Sequence, residues 1–150
     1  MLGQQDYKVV LLNSDFTVDN AAFTTSEIDT KGYRYCTILA AAGNVPANVA
    51  SMTVTESDTT GSNHAAFITF GTTANIAGST SAVFAASGGD GTVKIIEIDL
   101  RGRKRFLDFT CTAGDGSATV TELCAIAILW NPESSPITAT ERGASEIIRV

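Results

Sequence analysis

The 150-residue chain is predicted to be all-β, an antiparallel β-sandwich or jelly roll that ends in an extended C-terminal arm. Three observations predict this fold. Threonine is as frequent as alanine, with 20 residues each, and threonine favours strands over helices. Apolar and polar side chains alternate along several segments, as in strands with one buried face. Small polar clusters, two of them containing Asp-Gly, separate these segments.

Five segments carry the strand pattern. The last of them ends in an uninterrupted apolar run, Leu123–Trp130, which indicates a strand buried on both faces. This run is also the longest apolar stretch, and it is far shorter than the roughly 20 residues of a membrane-spanning helix. We therefore expect no membrane partner. The predicted strands are residues 7–12, 33–41, 49–57, 104–111 and 118–130.

The turns between these strands have characteristic residues. Asp115-Gly116 lies between two predicted strands and predicts a hairpin, because a type I′ turn needs positive φ at both central residues. Asp90-Gly91 predicts either a second hairpin or a slightly longer loop. Residues 57–63 and 71–81 are predicted to be polar loops.

A short internal similarity supports a doubled layout. Residues 27–32, Glu-Ile-Asp-Thr-Lys-Gly, recur at 97–102 as Glu-Ile-Asp-Leu-Arg-Gly. In both copies a strand is predicted to end at Ile-Asp, and a turn with a basic residue and a glycine follows. Two related strand–turn–strand units would suit a jelly roll. The alternative is convergence, since Asp-x-x-Gly is a common turn composition.

The chain divides at residue 130 into a β-sandwich domain, residues 1–130, and a C-terminal arm, residues 131–150. Pro132 and Pro136 cannot donate hydrogen bonds to a sheet, so they mark the end of the last strand. The arm ends in three apolar residues, which need a surface to bind. We expect the arm either to complete the sheet of its own domain or to insert into a neighbouring subunit by strand addition. These residues are Ile147, Ile148 and Val150.

The charges are unevenly distributed. The net charge of −6 argues against a general nucleic-acid partner. Four of the ten basic residues nevertheless lie within one five-residue stretch, which predicts docking on an acidic protein surface or pairing across a subunit interface. Solvated turn charges are the alternative interpretation. The four residues are Arg101, Arg103, Lys104 and Arg105.

No arrangement of residues predicts catalysis. The single histidine, His64, lies in a polar loop and is expected at the surface, and no nucleophile motif accompanies it. Cys36, Cys111 and Cys124 lack zinc-site spacing and are expected to be free and buried. The aspartates of the Asp-Gly turns lack calcium-loop spacing. We expect no enzyme activity, metal or cofactor.

Two longer stretches resemble known proteins. Ile95–Leu107, and Ala125–Pro136 continuing into Thr140–Gly143, are similar to small head proteins of tailed bacteriophages. Residues 31–35 and 54–58 share this similarity. The family is that of the decoration or cement proteins, which sit on the capsid shell.

The resemblance implies a β-sandwich or jelly-roll knob on the outer capsid surface of the virion. It further implies binding to the major capsid protein, commonly as a homotrimer, after assembly in the host cytoplasm. The alternative function is a phage tail, receptor-binding or carbohydrate-binding β-sandwich module. Glycan-binding modules usually present aromatic platforms, whereas Tyr33, Tyr35 and Trp130 are predicted to lie in strands rather than loops.

Overall fold

The prediction of an all-β chain is confirmed by the computed structural model, which has ten strands in its described part. No helix in that part is long and apolar enough to cross a membrane. The described residues are 6–13, 17–18, 22–61, 64–72, 80–86, 88–112, 121–134 and 138–146. The strands are β1 (Tyr7–Leu11), β2 (Thr17–Val18), β3 (Ala22–Thr24), β4 (Ile28–Asp29), β5 (Tyr33–Ala42), β6 (Ser51–Ser57), β7 (Ala65–Thr69), β8 (Val93–Asp99), β9 (Phe106–Thr112) and β10 (Thr121–Pro132).

The strands form two antiparallel sheets. In the first sheet the order is β1-β10-β5-β8, and β2 pairs with the start of β10. In the second sheet the order is β3-β9-β6-β7; β3 pairs with the end of β9, and β4 pairs with its start. Paired residues of adjacent strands share one face of a sheet.

One hydrophobic core contains residues of both sheets, because alternate residues of the long strands are buried. Ile38 of β5 and Leu129 of β10 are fully buried from the first sheet, and Val54 of β6 and Phe109 of β9 from the second. Burial of each such side chain stabilises the fold by about 1.5–3 kcal/mol. Phe84, in the loop before β8, is buried in the same core.

The five predicted strands correspond to β1, β5, β6, β9 and β10. The prediction that the last strand is buried on both faces is wrong. Leu123, Ala125, Ala127 and Leu129 are buried, whereas the residues between them are only half-buried. Successive side chains point to opposite faces, and only one face of the first sheet meets the core.

The two similar segments form the same turn. The Oδ1 atoms of Asp29 and Asp99 accept hydrogen bonds from the backbone N–H groups of Lys31 and Arg101, at 3.1 and 3.0 Å. The glycine three residues after each aspartate has positive φ, 83° and 77°. This conformation is accessible to glycine without steric cost.

Asp90-Gly91 forms a turn in the loop between β7 and β8, which belong to different sheets. The longer-loop alternative is therefore correct and the hairpin alternative is wrong. Asp90 Oδ1 accepts a hydrogen bond from the backbone N–H of Val45 at 2.7 Å, which fastens this loop to the segment after β5. The predicted hairpin at Asp115-Gly116 lies outside the described residues.

Residues 138–146 of the predicted arm form a hydrogen-bonded turn that contacts β1 of the same chain. The backbone N–H of Val9 donates to the carbonyl oxygen of Arg142 at 2.8 Å. Arg142 is buried, and its guanidinium lies 4.1 Å from the ring centre of Tyr7. Gly143 follows with a φ of 73°, and a Cβ atom there would overlap the carbonyl oxygen of Val9.

Candidate functional site

The four basic residues predicted to dock lie on the loop that joins β8 of the first sheet to β9 of the second. Each of the three arginines contacts a carboxylate of the same chain, so much of the positive charge is balanced locally. The pairs are Arg101 Nη2 with Asp99 Oδ2 at 2.5 Å, Arg103 Nη1 with Glu56 Oε1 at 3.6 Å, and Arg105 Nη2 with Asp29 Oδ2 at 2.7 Å.

These contacts have electrostatic consequences. The hydrogen bond from the Arg101 guanidinium lowers the pKa of Asp99 to about 2. The Arg105 guanidinium lowers the pKa of Asp29 in the same way, despite the opposing effect of partial burial. The fourth basic residue, Lys104, donates its backbone N–H to Glu56 Oε2 at 3.1 Å. A docking role for these residues stays a prediction.

The apolar end of the arm was also predicted to dock. Ile147, Ile148 and Val150 lie outside the described residues, so their docking role stays a prediction as well.

The outer face of the first sheet is the most distinctive surface of the described chain. The register places Leu11, Ile126, Leu39 and Ile95 in one row across β1, β10, β5 and β8. In the described part of the chain, every large apolar residue with a strongly exposed side chain lies on this outer face. We call this surface the apolar face. These residues are Tyr7 (41% exposed), Leu11 (53%), Val93 (57%), Ile95 (63%) and Trp130 (40%).

Two aromatic residues lie together at one end of the apolar face. The rings of Tyr35 and Trp130 stack with centroids 4.5 Å apart. Trp130 Nε1 donates a hydrogen bond to Thr37 Oγ1 at 3.1 Å, which fixes the indole on the sheet. A recess of about 290 Å³ is lined by these three residues together with Glu97 and Asp99. Aromatic rings beside carboxylates and a hydroxyl can contact a polar ligand with apolar edges.

On the second sheet, His64 lies between two carboxylates. His64 Nδ1 is 2.5 Å from Asp108 Oδ2, and His64 Nε2 is 3.2 Å from Glu27 Oε2. The side chain of His64 is 14% exposed, so the expectation of a surface histidine is wrong. His64 directly precedes β7, and its imidazole reaches Asp108 in the middle of β9.

The loop between β6 and β7 holds Glu27 in place. Gly61 donates its backbone N–H to Glu27 Oε2 at 2.8 Å, and the Thr60 hydroxyl donates to Glu27 Oε1 at 2.5 Å. These hydrogen bonds, with the Thr60 bond contributing most, lower the pKa of Glu27. Asp108 differs, because desolvation is the largest effect on this carboxyl and raises its pKa.

Sequence reasoning missed this cluster, although one signal was available. Asp108 lies in the middle of a strand whose alternate positions, Leu107 and Phe109, belong to the core. Aspartate is depleted in strands, so an aspartate at the centre of one needs a partner. The partner comes from a distant loop, and local spacing therefore does not identify it.

The three cysteines are free thiols, as predicted. Cys36 and Cys111 are buried, and burial raises the pKa of each thiol to about 12. Cys124 is only half-buried, so the expectation that all three are buried is wrong. It pairs with Ala41 on the apolar face, the side of the sheet opposite the core.

A scan against models of known protein families finds no match for this chain, and a search of curated proteins finds no match either.

Proposed function

We propose that the chain is a structural virion protein that decorates the outer surface of the major capsid protein lattice and stabilises the head. The apolar face carries this proposal. Large exposed apolar side chains concentrated on one face mark a protein interaction surface. The resemblance to phage head proteins implies that the partner is the capsid.

The size of the apolar face suits a protein contact. The outer face of the first sheet spans four strands about 4.8 Å apart. Along the strands it has four rows of outward-facing side chains about 6.8 Å apart, so its area is roughly 500 Å². A standard interface buries about 800 Å² on each partner. The face therefore supplies the centre of an interface, and its polar rim completes it.

The strand order supports a jelly roll. β3 and β4 both pair with β9 and together occupy the position of one strand, which gives eight principal strands when the short β2 is set aside. In chain order, the first sheet then contains strands one, eight, three and six, and the second contains two, seven, four and five. Jelly rolls with two four-stranded sheets occur in viral capsid proteins and in lectins. This likeness concerns the fold, and function must come from the surface.

We further propose that the protein assembles as a homotrimer. Three linked copies bind a lattice far more tightly than one, because the second and third contacts form at high effective concentration. The basic loop, residues 101–105, and the arm, residues 131–150, would then contribute contacts at the edges of each copy. In such an interface charged residues mainly determine register and the choice of partner.

Binding to heads that lack this protein tests the proposal. The protein and the heads are mixed and sedimented, and the oligomeric state of the free protein is measured by light scattering. We expect saturable binding and a trimer. A protein that remains monomeric at high concentration and does not sediment with heads would contradict the proposal.

The recess beside the stacked rings favours carbohydrate binding as a second candidate function. Tyr35 and Trp130 offer aromatic surface, while Glu97 and Asp99 offer hydrogen-bond acceptors. A glycan array probed with the wild-type protein and with Trp130→Ala tests this candidate. A specific sugar bound only by the wild type would favour it over the capsid proposal, and the absence of any specific sugar would reject it.

A further inference from the structure

Glu27, His64 and Asp108 bring one imidazole and two carboxylates together on the second sheet. One potential ligand atom from each residue lies within 4.8 Å of the other two. We propose that Glu27 and His64 Nε2 bind a divalent first-row transition metal ion, best represented by Zn²⁺, and that Asp108 orients the imidazole through its other nitrogen, Nδ1. This site lies on the sheet opposite the apolar face and is independent of the capsid proposal.

The charges of the cluster call for a cation. Asp108 is 7% exposed and the side chain of Glu27 is 22% exposed, so the carboxylate of Asp108 is largely removed from water and that of Glu27 is partly shielded from it. Among the described residues, no lysine or arginine forms an ion pair with either of them. His64 supplies one positive charge at most, and only when it is protonated. A divalent ion would balance both carboxylates and leave the imidazole neutral, which is the form that coordinates a metal.

One histidine nitrogen is open for coordination. His64 Nε2 is buried and makes no hydrogen bond within the described chain, although Glu27 Oε2 is 3.2 Å away. A tetrahedral Zn²⁺ ion with bonds of about 2.0–2.2 Å separates its ligand atoms by roughly 3.3–3.5 Å. The observed separation is close to this value, so an ion can replace the missing hydrogen bond with little movement of these two side chains.

The chain positions the ligands before an ion arrives. The Thr60 hydroxyl and the Gly61 N–H hold the carboxylate of Glu27, and Asp108 of β9 orients the His64 ring through its contact with Nδ1. Such outer hydrogen bonds orient metal ligands and are a common part of metal sites. The ligands are therefore supported by the fold and do not depend on flexible side chains alone.

The donor set selects among ions. An imidazole nitrogen suits zinc and neighbouring transition metals, whereas Mg²⁺ and Ca²⁺ prefer sites made of oxygen alone. Two protein ligands in a tetrahedral site leave two positions for water. Bound metal would connect the segments of Glu27 and His64, and the contact of His64 with Asp108 joins them to β9, so the ion would stabilise the second sheet.

Zinc titration of the full-length, chelator-stripped protein tests the proposal by calorimetry and thermal unfolding. We expect one Zn²⁺ per chain. At a free Zn²⁺ concentration 100 times its Kd, the folding equilibrium constant should rise about 100-fold and the Tm by about 5–10 °C. Mg²⁺ and Ca²⁺ at the same concentration should give no such shift. A spectrum of the Co²⁺ complex should lack the strong thiolate absorption that cysteine ligands would produce.

Variants identify the ligands. Glu27→Gln and His64→Gln should each weaken Zn²⁺ binding about tenfold or more, whereas Cys124→Ser should bind like the wild type. Glu27→Gln removes the more exposed ligand, so it remains informative if His64→Gln does not fold. The proposal is overturned if the stripped wild-type protein binds no Zn²⁺, if Glu27→Gln binds Zn²⁺ as tightly as the wild type, or if Co²⁺ shows thiolate ligation.

Discussion

Replacing Ile95 with lysine should weaken binding to heads while leaving the free domain folded. Full burial of an isoleucine contributes about 1.5–3 kcal/mol. Ile95 is 63% exposed, so a contact that covers it adds about 1–2 kcal/mol. Its loss corresponds to a factor of roughly 5–30 in Kd for each site. The lysine ammonium must also lose water in the interface, which weakens binding further.

Co-sedimentation with heads at a series of protein concentrations measures this loss. Ser51→Lys is the matched control, because Ser51 is an exposed strand residue of the second sheet and receives the same charge. The free Ile95→Lys protein should keep its Tm within about 2 °C, since exposed substitutions usually change stability by less than about 0.5 kcal/mol. Wild-type affinity of Ile95→Lys, or an equal loss in Ser51→Lys, would refute the role of the apolar face.

Three further predictions concern the fold. At pH 8 a thiol reagent should modify Cys124 much faster than Cys36 or Cys111, because burial raises the pKa of those two thiols to about 12. All three cysteines should react in urea, and equal reaction rates in the native protein would contradict the prediction. The lowered pKa of Glu27 means that its stabilising contribution is present above about pH 4.5 and is lost as the pH falls through the folded-state pKa. Glu27→Gln should therefore cost about 1 kcal/mol at pH 7 and flatten the decline of stability at acidic pH in urea titrations; two parallel pH profiles would argue against it. Gly143→Ala should lower the free energy of unfolding by about 1–3 kcal/mol, measured by thermal unfolding. Alanine is strained at this positive φ, and its Cβ would overlap the backbone of β1. An unchanged Tm would contradict this prediction.

The long strands could be predicted from the sequence because their alternation is local. β5 has ten residues and β10 has twelve, which is enough for a period of two to be visible. β2, β3 and β4 have two or three residues each, too few to show any period. Their pairing with β9 and β10 is determined by contacts between distant segments.

The apolar run in β10 correctly predicted a strand, but the prediction that both faces of this strand are buried was wrong. Ile126 and Ile128 made the strand appear to be buried on both faces, yet both are only half-buried, on the apolar face. The sequence alone does not show whether the second face of an apolar strand is covered by its own domain or lies outside the core. The two-sheet arrangement makes the distinction, because the core occupies only one side of the first sheet.

The Glu27–His64–Asp108 cluster could not be predicted for a different reason. Metal-site motifs are recognised when ligands recur at short spacing along the chain. Here the three residues are the one before β4, the one before β7 and one in the middle of β9. They come together because β4 and β6 both pair with β9 and β7 pairs with β6.

An electron-microscopy reconstruction of decorated heads tests the central claim most directly. The account predicts the protein as trimers on the outside of the shell at junctions between capsomers, with Leu11, Ile95 and Trp130 of the apolar face turned toward the capsid protein. A map in which the second sheet meets the shell while the apolar face remains open to solvent would contradict the account. Complete absence of the protein from the particle would contradict it equally.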